Sequence, residues 1–307
     1  MLKQDKMISH RLTNRAQTVL LFGGMLLLLA LIGLAIAGPT GLWWATIFGV
    51  FFLFFSRQVS PRWLLRAQRA RPIASHEAPD LYQLVQALSQ RAKLTKAPQL
   101  YYISQEIPNA FAIGSGDEAA LAVTMGLLRQ LDRQELTAVL AHEISHIQHQ
   151  DMRVLAFSSL INRMTALFAS LGQLLLFINL PLLLMGRATI SWFAIVLLLV
   201  APTLSGLLHL ALSRTREFDA DLGAVKLTGD PIGLAKALRK LEQAQVSWVQ
   251  LLLPGARIPG SAVLRTHPNT PERMERLLTL TDVPLPPPIP NHPLIINGPP
   301  VRRRLGW

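Results

Sequence analysis

The sequence has no cysteine and few charged residues. Of its 307 residues, 16% are Asp, Glu, Lys or Arg, against about a quarter in an average soluble domain. Without cysteine the chain has no disulfide framework and no thiolate metal site, so any bound metal must use histidine and carboxylate ligands. The apolar residues, half of the chain, are concentrated in a few long runs. This pattern is typical of a membrane protein rather than of a large soluble core.

Acidic residues are scarce relative to basic ones, and the net charge is +12. The basic residues cluster beside the apolar runs: Lys3, Lys6, Arg11 and Arg15 before the first, then Arg57, Arg62, Arg66, Arg69 and Arg71 after the second. No aromatic-rich RNA motif or zinc-finger spacing accompanies them. The charge therefore predicts a topology signal at a lipid bilayer and no nucleic-acid partner.

Four apolar runs are long enough to cross a membrane as helices. They comprise residues 19–37, 42–55, 164–185 and 188–212, of which the second reaches spanning length when it is counted from Gly38. Each pair has a very short link, so we predict two transmembrane hairpins, at residues 16–56 and 154–212. A cleaved signal peptide is the alternative for the first run, because Ala35-Ile36-Ala37 resembles a cleavage site. The run is longer than such a segment usually is, and a second run follows at once, which favours a membrane span.

The basic residues also predict which way the spans run. Residues 1–15 and the start of 57–153 are strongly positive, whereas the link at residues 38–41 has no charge. Positively charged segments that flank membrane spans stay on the cytoplasmic side. We therefore expect residues 1–15, 57–153 and 213–281 to be cytoplasmic, and residues 57–153 and 213–281 to form one domain. Residues 282–307 form a proline-rich, basic tail.

The hydrophilic part predicts a mostly α fold with a small β-hairpin or sheet. Apolar periodicity predicts helices at 78–93, 133–150, 213–228 and 231–243, strands at 99–103, 109–113 and 119–124, and a loop at 254–271. A turn at Gly114-Ser115-Gly116-Asp117 joins the last two strands into a hairpin. Asp132 and Glu135 form a capping-box pattern at the start of the 133–150 helix.

The strongest chemical signal is His142-Glu143-Ile144-Ser145-His146, in the middle of the 133–150 helix. Residues four apart lie on one face of a helix, so both imidazoles can reach one zinc ion. Glu143 projects beside the metal, where it can take a proton from a zinc-bound water. Such a pattern also arises by chance, but here it lies on a capped amphipathic helix.

A catalytic zinc usually has three protein ligands, and a third must come from elsewhere in the chain. Glu217 and Asp221 stand four apart on one face of a later helix. Glu217 can complete a two-His, one-Glu site, and Asp221 can accept the free N–H of a ligand imidazole. The alternative is a solvated acidic face that pairs with nearby arginines, and spacing alone favours neither. His149 lies one turn beyond His146, and we interpret it as a bystander.

Four motifs in order make the chain resemble the HtpX-type membrane zinc endopeptidases, relatives of the CAAX prenyl proteases with a gluzincin-like core. The motifs are Asn109-Ala110-Phe111-Ala112, His142 to His146 with Asp151, Glu217 to Asp221, and His267-Pro268 with Arg273. The resemblance implies an endopeptidase of the inner (cytoplasmic) membrane, with one zinc per chain and its active site in the cytoplasm. It also implies a role in clearing misfolded or damaged membrane proteins.

The resemblance further implies roles for individual residues. It favours Glu217 as the third zinc ligand. It also implies that Asp151, like Asp221, supports the zinc ligands in their positions. It places His267 and Arg273 near the zinc, where we expect them to stabilise the transition state. We also expect residues 109–112 to form an exposed edge strand that pairs with the extended substrate.

Two other functional classes remain as alternatives. A non-catalytic scaffold would need a structural zinc closed by a fourth protein ligand, and the sequence has no cysteine and no obvious fourth residue. A transporter would need ionisable groups inside its spans, where the chain has almost none beyond Arg163 and His209. Both observations favour a protease.

Overall fold

A computed structural model describes residues 2–55, 62–187, 191–252 and 270–280. Helices dominate this part of the chain. They are α1 (Leu2–Phe55), α2 (Arg62–Ala67), α3 (Pro79–Arg91), α4 (Met125–Gln130), α5 (Arg133–His149), α6 (Asp151–Leu184), α7 (Trp192–Thr228), α8 (Pro231–Leu252) and α9 (Thr270–Leu278). The four strands are β1 (Arg71–Pro72), β2 (Gln99–Ile103), β3 (Ala110–Ile113) and β4 (Ala120–Thr124). The predicted fold class, mostly α with a small sheet, is confirmed.

The described chain divides into two compact units. Of the described residues, the first unit comprises 2–8, 62–152, 217–252 and 270–280, and the second comprises 9–55, 153–187 and 191–216. The first unit holds the sheet, and the second holds most of the apolar helices.

The sheet has the strand order β1-β2-β4-β3. Strand β2 runs parallel to β4, whereas β1 and β3 pair antiparallel with their neighbours. The predicted hairpin between β3 and β4 is present, with Gly114 and Gly116 at positive φ in its turn. Strand β3 therefore lies at an edge of the described sheet.

Helix α5 packs in the largest hydrophobic core of the first unit. Its Leu136, Leu140 and Ile144 are almost fully buried, together with Leu81 and Leu88 of α3. The helix begins with the predicted capping box: Glu135 N–H donates to Asp132 Oδ1 at 2.9 Å, and Asp132 N–H donates to Glu135 Oε2 at 3.0 Å. This arrangement satisfies two backbone donors that a helix start leaves unpaired.

In the second unit, α1 has a break at the predicted link. Ala37 and Gly38 have non-helical backbone angles, Gly38 with φ of 59°, a conformation that glycine adopts without steric cost. The segments before and after the break approach so closely that a Cβ on Gly33 would lie 2.5 Å from the carbonyl oxygen of Gly41. Such an approach of two helices requires glycine on both sides.

Apolar contacts hold the helices of the second unit together. Met25 of α1, Phe157 and Ile161 of α6 and Leu212 of α7 form one buried cluster. His209 Nδ1 lies 2.7 Å from Ser158 Oγ. The one histidine predicted inside a span thus makes a polar contact between α6 and α7.

Three described stretches are long and apolar enough to cross a membrane: Ile8–Phe51, Asp151–Leu184 and Trp192–Thr228. The predicted count of four helices differs because the first hairpin is one helical element with a break. The predicted tail at 282–307 and most of the predicted loop at 254–271 lie outside the described residues.

Candidate metal centre

Helix α5 presents His142, Glu143 and His146 from inside the first unit, and all three side chains are buried. Lys240 of α8 reaches across to the N-terminus of α5, with Nζ 2.7 Å from Glu135 Oε2. The helix that carries the motif is therefore fixed by its core face and by its capped start.

The C-terminal part of α7 approaches α5 at Gly223. A Cβ at this position would overlap the hydroxyl of Ser145 and lie 2.8 Å from its Cβ. Ser145 is fully buried, so its side chain has no free space into which to move. Glycine at 223 is thus required for an approach that places Glu217 and Asp221, on the same helix, beside the two histidines.

Three side chains converge on one point. His142 Nε2 lies 3.1 Å from His146 Nε2, Glu217 Oε2 lies 3.4 Å from His142 Nε2, and Glu217 Oε1 lies 3.7 Å from His146 Nε2. Among the residues described, these three form the group whose ligand atoms all lie within 4.8 Å of one another. The structure thus brings together the two histidines of the motif and the predicted third ligand.

The other ring nitrogens of the histidines each face a carboxylate. Asp221 Oδ1 lies 3.0 Å from His142 Nδ1, and Asp151 Oδ2 lies 2.8 Å from His146 Nδ1. Asp151 reaches back because Gln150 has a left-handed backbone conformation, with φ of 56°. When an imidazole binds a metal through Nε2, a carboxylate partner of this kind holds the proton on Nδ1. Both Nε2 atoms lie on the side of Glu217.

This donor set fits zinc. Two imidazole lone pairs 3.1 Å apart and a carboxylate repel one another unless a cation lies between them. A tetrahedral zinc with Zn–N bonds of about 2.0–2.1 Å places its ligand nitrogens about 3.3 Å apart. Burial alone lowers the pKa of His142, but Asp221 and Glu217 outweigh burial and raise that pKa to about 10. The pocket therefore attracts positive charge.

Arg273 of α9 contacts both carboxylates that face His142. Its Nε and Nη2 donate to Asp221 at 2.8 and 2.7 Å, and its Nη1 lies 3.1 Å from Glu217 Oε2. Burial alone raises the pKa of Asp221, but the guanidinium lowers it below its ordinary value. Planar two-point contacts of this kind fix a carboxylate in orientation as well as in position.

Glu143 lies against strand β3. Its Oε2 accepts a hydrogen bond of 2.9 Å from the backbone N–H of Ala112. Glu143, His142 and Arg273 also line a cavity of about 60 Å³, together with Asn109 and Ala110. The predicted substrate strand therefore borders the same cavity as the predicted catalytic base.

The remaining predicted residues are placed as follows. Phe111 of β3 is half-buried and packs beside Ile113 and Ala122, whereas Ala110 and Ala112 are buried, so the edge strand is less exposed than expected. Their side chains belong to the main hydrophobic core, and at Ala112 the backbone N–H on the free edge already donates to Glu143 of α5. His267 lies outside the described residues. His149 contacts Ser145, with Nδ1 2.9 Å from its carbonyl oxygen, and is not in the ligand group.

Sequence reasoning missed two features of the centre. The role of Gly223 depends on a contact with Ser145, which lies far away in the sequence. The apolar stripe of α8 borders the cavity through Leu234, Leu238 and Leu241. The spacing of the stripe predicts one buried helix face, but no local pattern indicates what that face contacts.

Comparison with known proteins gives consistent matches. Residues 75–281 match the model of peptidase family M48. The chain is 34% identical over 286 residues to a protease HtpX homolog of Burkholderia ambifaria (strain MC40-6), with 87% of this chain and 97% of that protein covered. It is 35% identical over 290 residues to a protease HtpX homolog of Sulfurihydrogenibium sp. (strain YO3AOP1), with 87% and 96% covered.

A solved structure, the crystal structure of S. mikatae Ste24p, is also similar, with 19% identity and a TM-score of 0.46. The aligned region covers 89% of this chain and 66% of that one. The family match spans more than half of the chain, and it confirms the resemblance drawn from the four motifs. The chain therefore belongs to peptidase family M48 and is a membrane metalloprotease of the HtpX type.

Proposed function

We propose that this metalloprotease is a zinc-dependent endopeptidase that hydrolyses misfolded or damaged membrane proteins as part of membrane protein quality control. The observation that carries the zinc assignment is the convergence of His142 Nε2, His146 Nε2 and Glu217 on one point. The substrate class is supported by the long apolar helices of the same chain, which keep the enzyme where such substrates are.

His142, His146 and Glu217 would hold the metal, and Asp221, Asp151 and Arg273 would keep these ligands in place. When bound, zinc supplies a Lewis acid that polarises a water molecule and the scissile carbonyl. Glu143 accepts the proton of the attacking water and then donates it to the leaving amine. The N–H of Ala112, 2.9 Å from Glu143 Oε2, orients the carboxylate for this transfer.

Removal of the metal should abolish peptide cleavage and also destabilise the first unit. A ligand at 100 times its dissociation constant stabilises a folded protein by about 2.7 kcal/mol. We expect a chelator to stop cleavage of an unfolded membrane protein by the detergent-solubilised enzyme and to lower its thermal midpoint, and zinc to restore both. Cleavage that continues at full rate after metal analysis shows no zinc would contradict the proposal.

For Arg273, the contacts support a positioning role in addition to the predicted role in the transition state. The guanidinium directs three nitrogens at Asp221 and Glu217, so its charge is largely engaged before substrate arrives. We propose that Arg273 acts chiefly by holding these two carboxylates, and that His267 donates to the oxyanion.

We propose that β3 binds the substrate by adding it as a further strand. Thr124 N–H donates to the carbonyl of Asn109 at 3.0 Å, so the next residue, Ala110, directs its N–H and C=O away from β4. These groups face the free edge of the strand, beside the cavity. Main-chain pairing of this kind gives affinity without sequence specificity, as a quality-control protease needs.

The variant Ala110→Pro tests this strand. Proline removes an N–H that points to the free edge while it leaves the bonds to β4 in place. Loss of one hydrogen bond should lower kcat/KM by about threefold to tenfold, with zinc content and thermal midpoint unchanged. Unchanged kinetics in a folded Ala110→Pro enzyme would exclude substrate pairing at this edge.

We propose that the chain crosses the inner membrane four times, with α1 crossing twice, and that residues 57–153 and 213–281 form a cytoplasmic protease domain. The break at Ala37 and Gly38 and the contact between Gly33 and Gly41 support a hairpin within α1. The strongly basic flanks support the orientation.

Cysteine labelling tests this topology, because the natural chain has no cysteine. Thr40 and Met185 are exposed and lie beside the two short links. Thr40→Cys and Met185→Cys should react with a membrane-impermeant thiol reagent in intact cells, whereas Ser115→Cys should react only after lysis. The reverse pattern would place the active site on the opposite side of the membrane.

A further inference from the structure

Helix α6 carries three polar side chains on its outer surface. Arg163, Ser170 and Gln173 are all exposed, although α6 is one of the stretches apolar enough to cross a membrane. Their spacings of seven and three residues place them on one face of the helix. In the part of the chain that the structure describes, no hydrogen bond or ion pair joins any of the three to another residue. This face is therefore polar and faces outward.

The position of these residues along α6 makes their exposure unfavourable. The helix ends at Leu184, and a hydrocarbon core of about 30 Å takes up about 20 helical residues. Counted back from Leu184, this core places Gln173 about halfway through the bilayer and Arg163 at its cytoplasmic edge. At the depth of Gln173 there is no water to hydrogen-bond the amide. A partner from outside the chain would remove this cost.

The inner face of α6 shows the opposite pattern. Ser158 Oγ lies 2.7 Å from His209 Nδ1 of α7, and Thr165 Oγ1 donates to the carbonyl oxygen of Asn162 at 2.8 Å. Both of these side chains are fully buried. The chain thus satisfies polar groups where its own helices pack, so the outer polar face does not serve packing within the chain.

The chemistry of the outer face specifies what can cover it. Ala166 and Ser170 are small, exposed and four residues apart, a spacing that lets a second helix approach closely in a bilayer. The amide of Gln173 can donate and accept hydrogen bonds, and the guanidinium of Arg163 matches a carboxylate. The complementary partner is a transmembrane helix with a polar side chain near its middle and an acidic residue at its cytoplasmic end.

A second copy of this chain fits less well. A symmetric dimer brings the same face of both copies together, and both copies have the same orientation in the membrane. Arg163 would then meet Arg163 at the same depth, and like charges repel. The charge therefore favours a helix from a different protein.

We propose that Arg163, Ser170 and Gln173 form a docking stripe for a transmembrane helix of the substrate, one that exposes a polar side chain within the bilayer. This inference rests on the proposed function and narrows its substrate class. Polar residues inside membrane proteins normally pair with neighbouring helices. A damaged or unassembled protein has lost these partners, so the docking stripe distinguishes it from an intact one.

A pair of single-span substrates tests the docking stripe. Both carry the same unstructured cytoplasmic tail, and their spans are polyleucine with either Gln or Leu at the middle position. The zinc-loaded, full-length enzyme is reconstituted with each substrate in phosphatidylcholine vesicles, and kcat/KM for tail cleavage is measured. One hydrogen bond between helices in a bilayer changes affinity by about threefold to tenfold. We expect the Gln span to be preferred by this factor.

Gln173→Leu should abolish this preference, because it removes the amide that the substrate helix contacts. Gln17→Leu is the matched control, since Gln17 is also exposed but lies on α1. Both variants should cleave the detached tail peptide at the wild-type rate, which shows that the metal centre is intact.

Disulfide trapping locates the substrate helix directly. Gln173→Cys is placed in the inactive Glu143→Gln enzyme, whose chain has no other cysteine, and the substrate has one cysteine at the middle of its span. Oxidation should join enzyme to substrate, whereas Leu207→Cys, exposed on α7, should not form this disulfide. A disulfide between two enzyme copies in place of the substrate adduct would overturn the proposal in favour of a dimer.

The outcomes separate this inference from the proposed function. Failure of the wild-type enzyme to cleave either membrane substrate or the detached tail would contradict the peptidase function itself. Equal cleavage of the Gln and Leu spans would overturn the docking stripe alone. So would a preference that persists in folded Gln173→Leu, or one that Gln17→Leu abolishes equally.

Discussion

Glu143→Gln should lower kcat by about a hundredfold to ten-thousandfold while zinc remains bound at close to one ion per chain. This range is what a positioned general base typically contributes. The substitution keeps the size of the side chain and an oxygen acceptor for the Ala112 N–H, which now donates to Glu143 Oε2 at 2.9 Å. The metal ligands are separate residues, so proton transfer is lost without loss of the metal.

The measurement compares turnover, zinc content and thermal midpoint of Glu143→Gln with those of Glu106→Gln. Glu106 is exposed and pairs with Arg129 at the surface, so its substitution removes a carboxylate without touching the centre. His142→Ala should differ from both, because it loses the metal as well as the activity. Near wild-type turnover in Glu143→Gln would show that another group is the base.

Gly223→Ala should reduce both zinc affinity and activity, the latter by at least tenfold, although it adds only one methyl group. The new Cβ overlaps the buried hydroxyl of Ser145, so the end of α7 must move away from α5. Glu217 and Asp221 lie on the displaced helix, and a misplacement of about 1 Å can cost about a hundredfold in rate. Overpacking itself costs about 1–3 kcal/mol in stability.

A second substitution should reverse this effect. Ser145→Gly removes the side chain that the new methyl group meets, so the double variant Ser145→Gly/Gly223→Ala should recover activity relative to Gly223→Ala alone. Recovery will be incomplete, because glycine inside a helix costs about 1 kcal/mol. Gly23→Ala is the control, since a Cβ at Gly23 meets nothing within 4 Å. Wild-type zinc affinity in Gly223→Ala would show that the two helices can separate without consequence.

Local patterns predicted the elements of this protein well. The capping box at Asp132 and Glu135, the hairpin turn at Gly114 to Asp117 and the break near Gly38 all depend on residues that are close in sequence. The spacing of His142 and His146 on one helix is local in the same sense. Interactions of this range can be inferred from sequence because the backbone geometry of helices and turns is nearly fixed.

The contacts between elements were harder to predict. The spacing of Glu217 and Asp221 did not decide whether Glu217 faces a metal or solvent. The resemblance of the four motifs to the HtpX-type proteases favoured a metal ligand, and the position of Glu217 beside both histidines supports that interpretation. The engagement of Arg273 with Asp221 and Glu217 depends on where α9 packs, which no local pattern specifies. The number of helical elements also differed, because α1 continues through the break at Ala37 and Gly38 where two separate helices were expected.

The position of Arg273 has a consequence for the order of events during synthesis. The chain leaves the ribosome from its N-terminus at about 5–20 residues per second, so the two histidines emerge first, Glu217 later and Arg273 last of these groups. Until α9 has been made, Asp221 and Glu217 lack the guanidinium that holds them. The centre of the nascent protein is therefore incomplete until α9 has folded onto it.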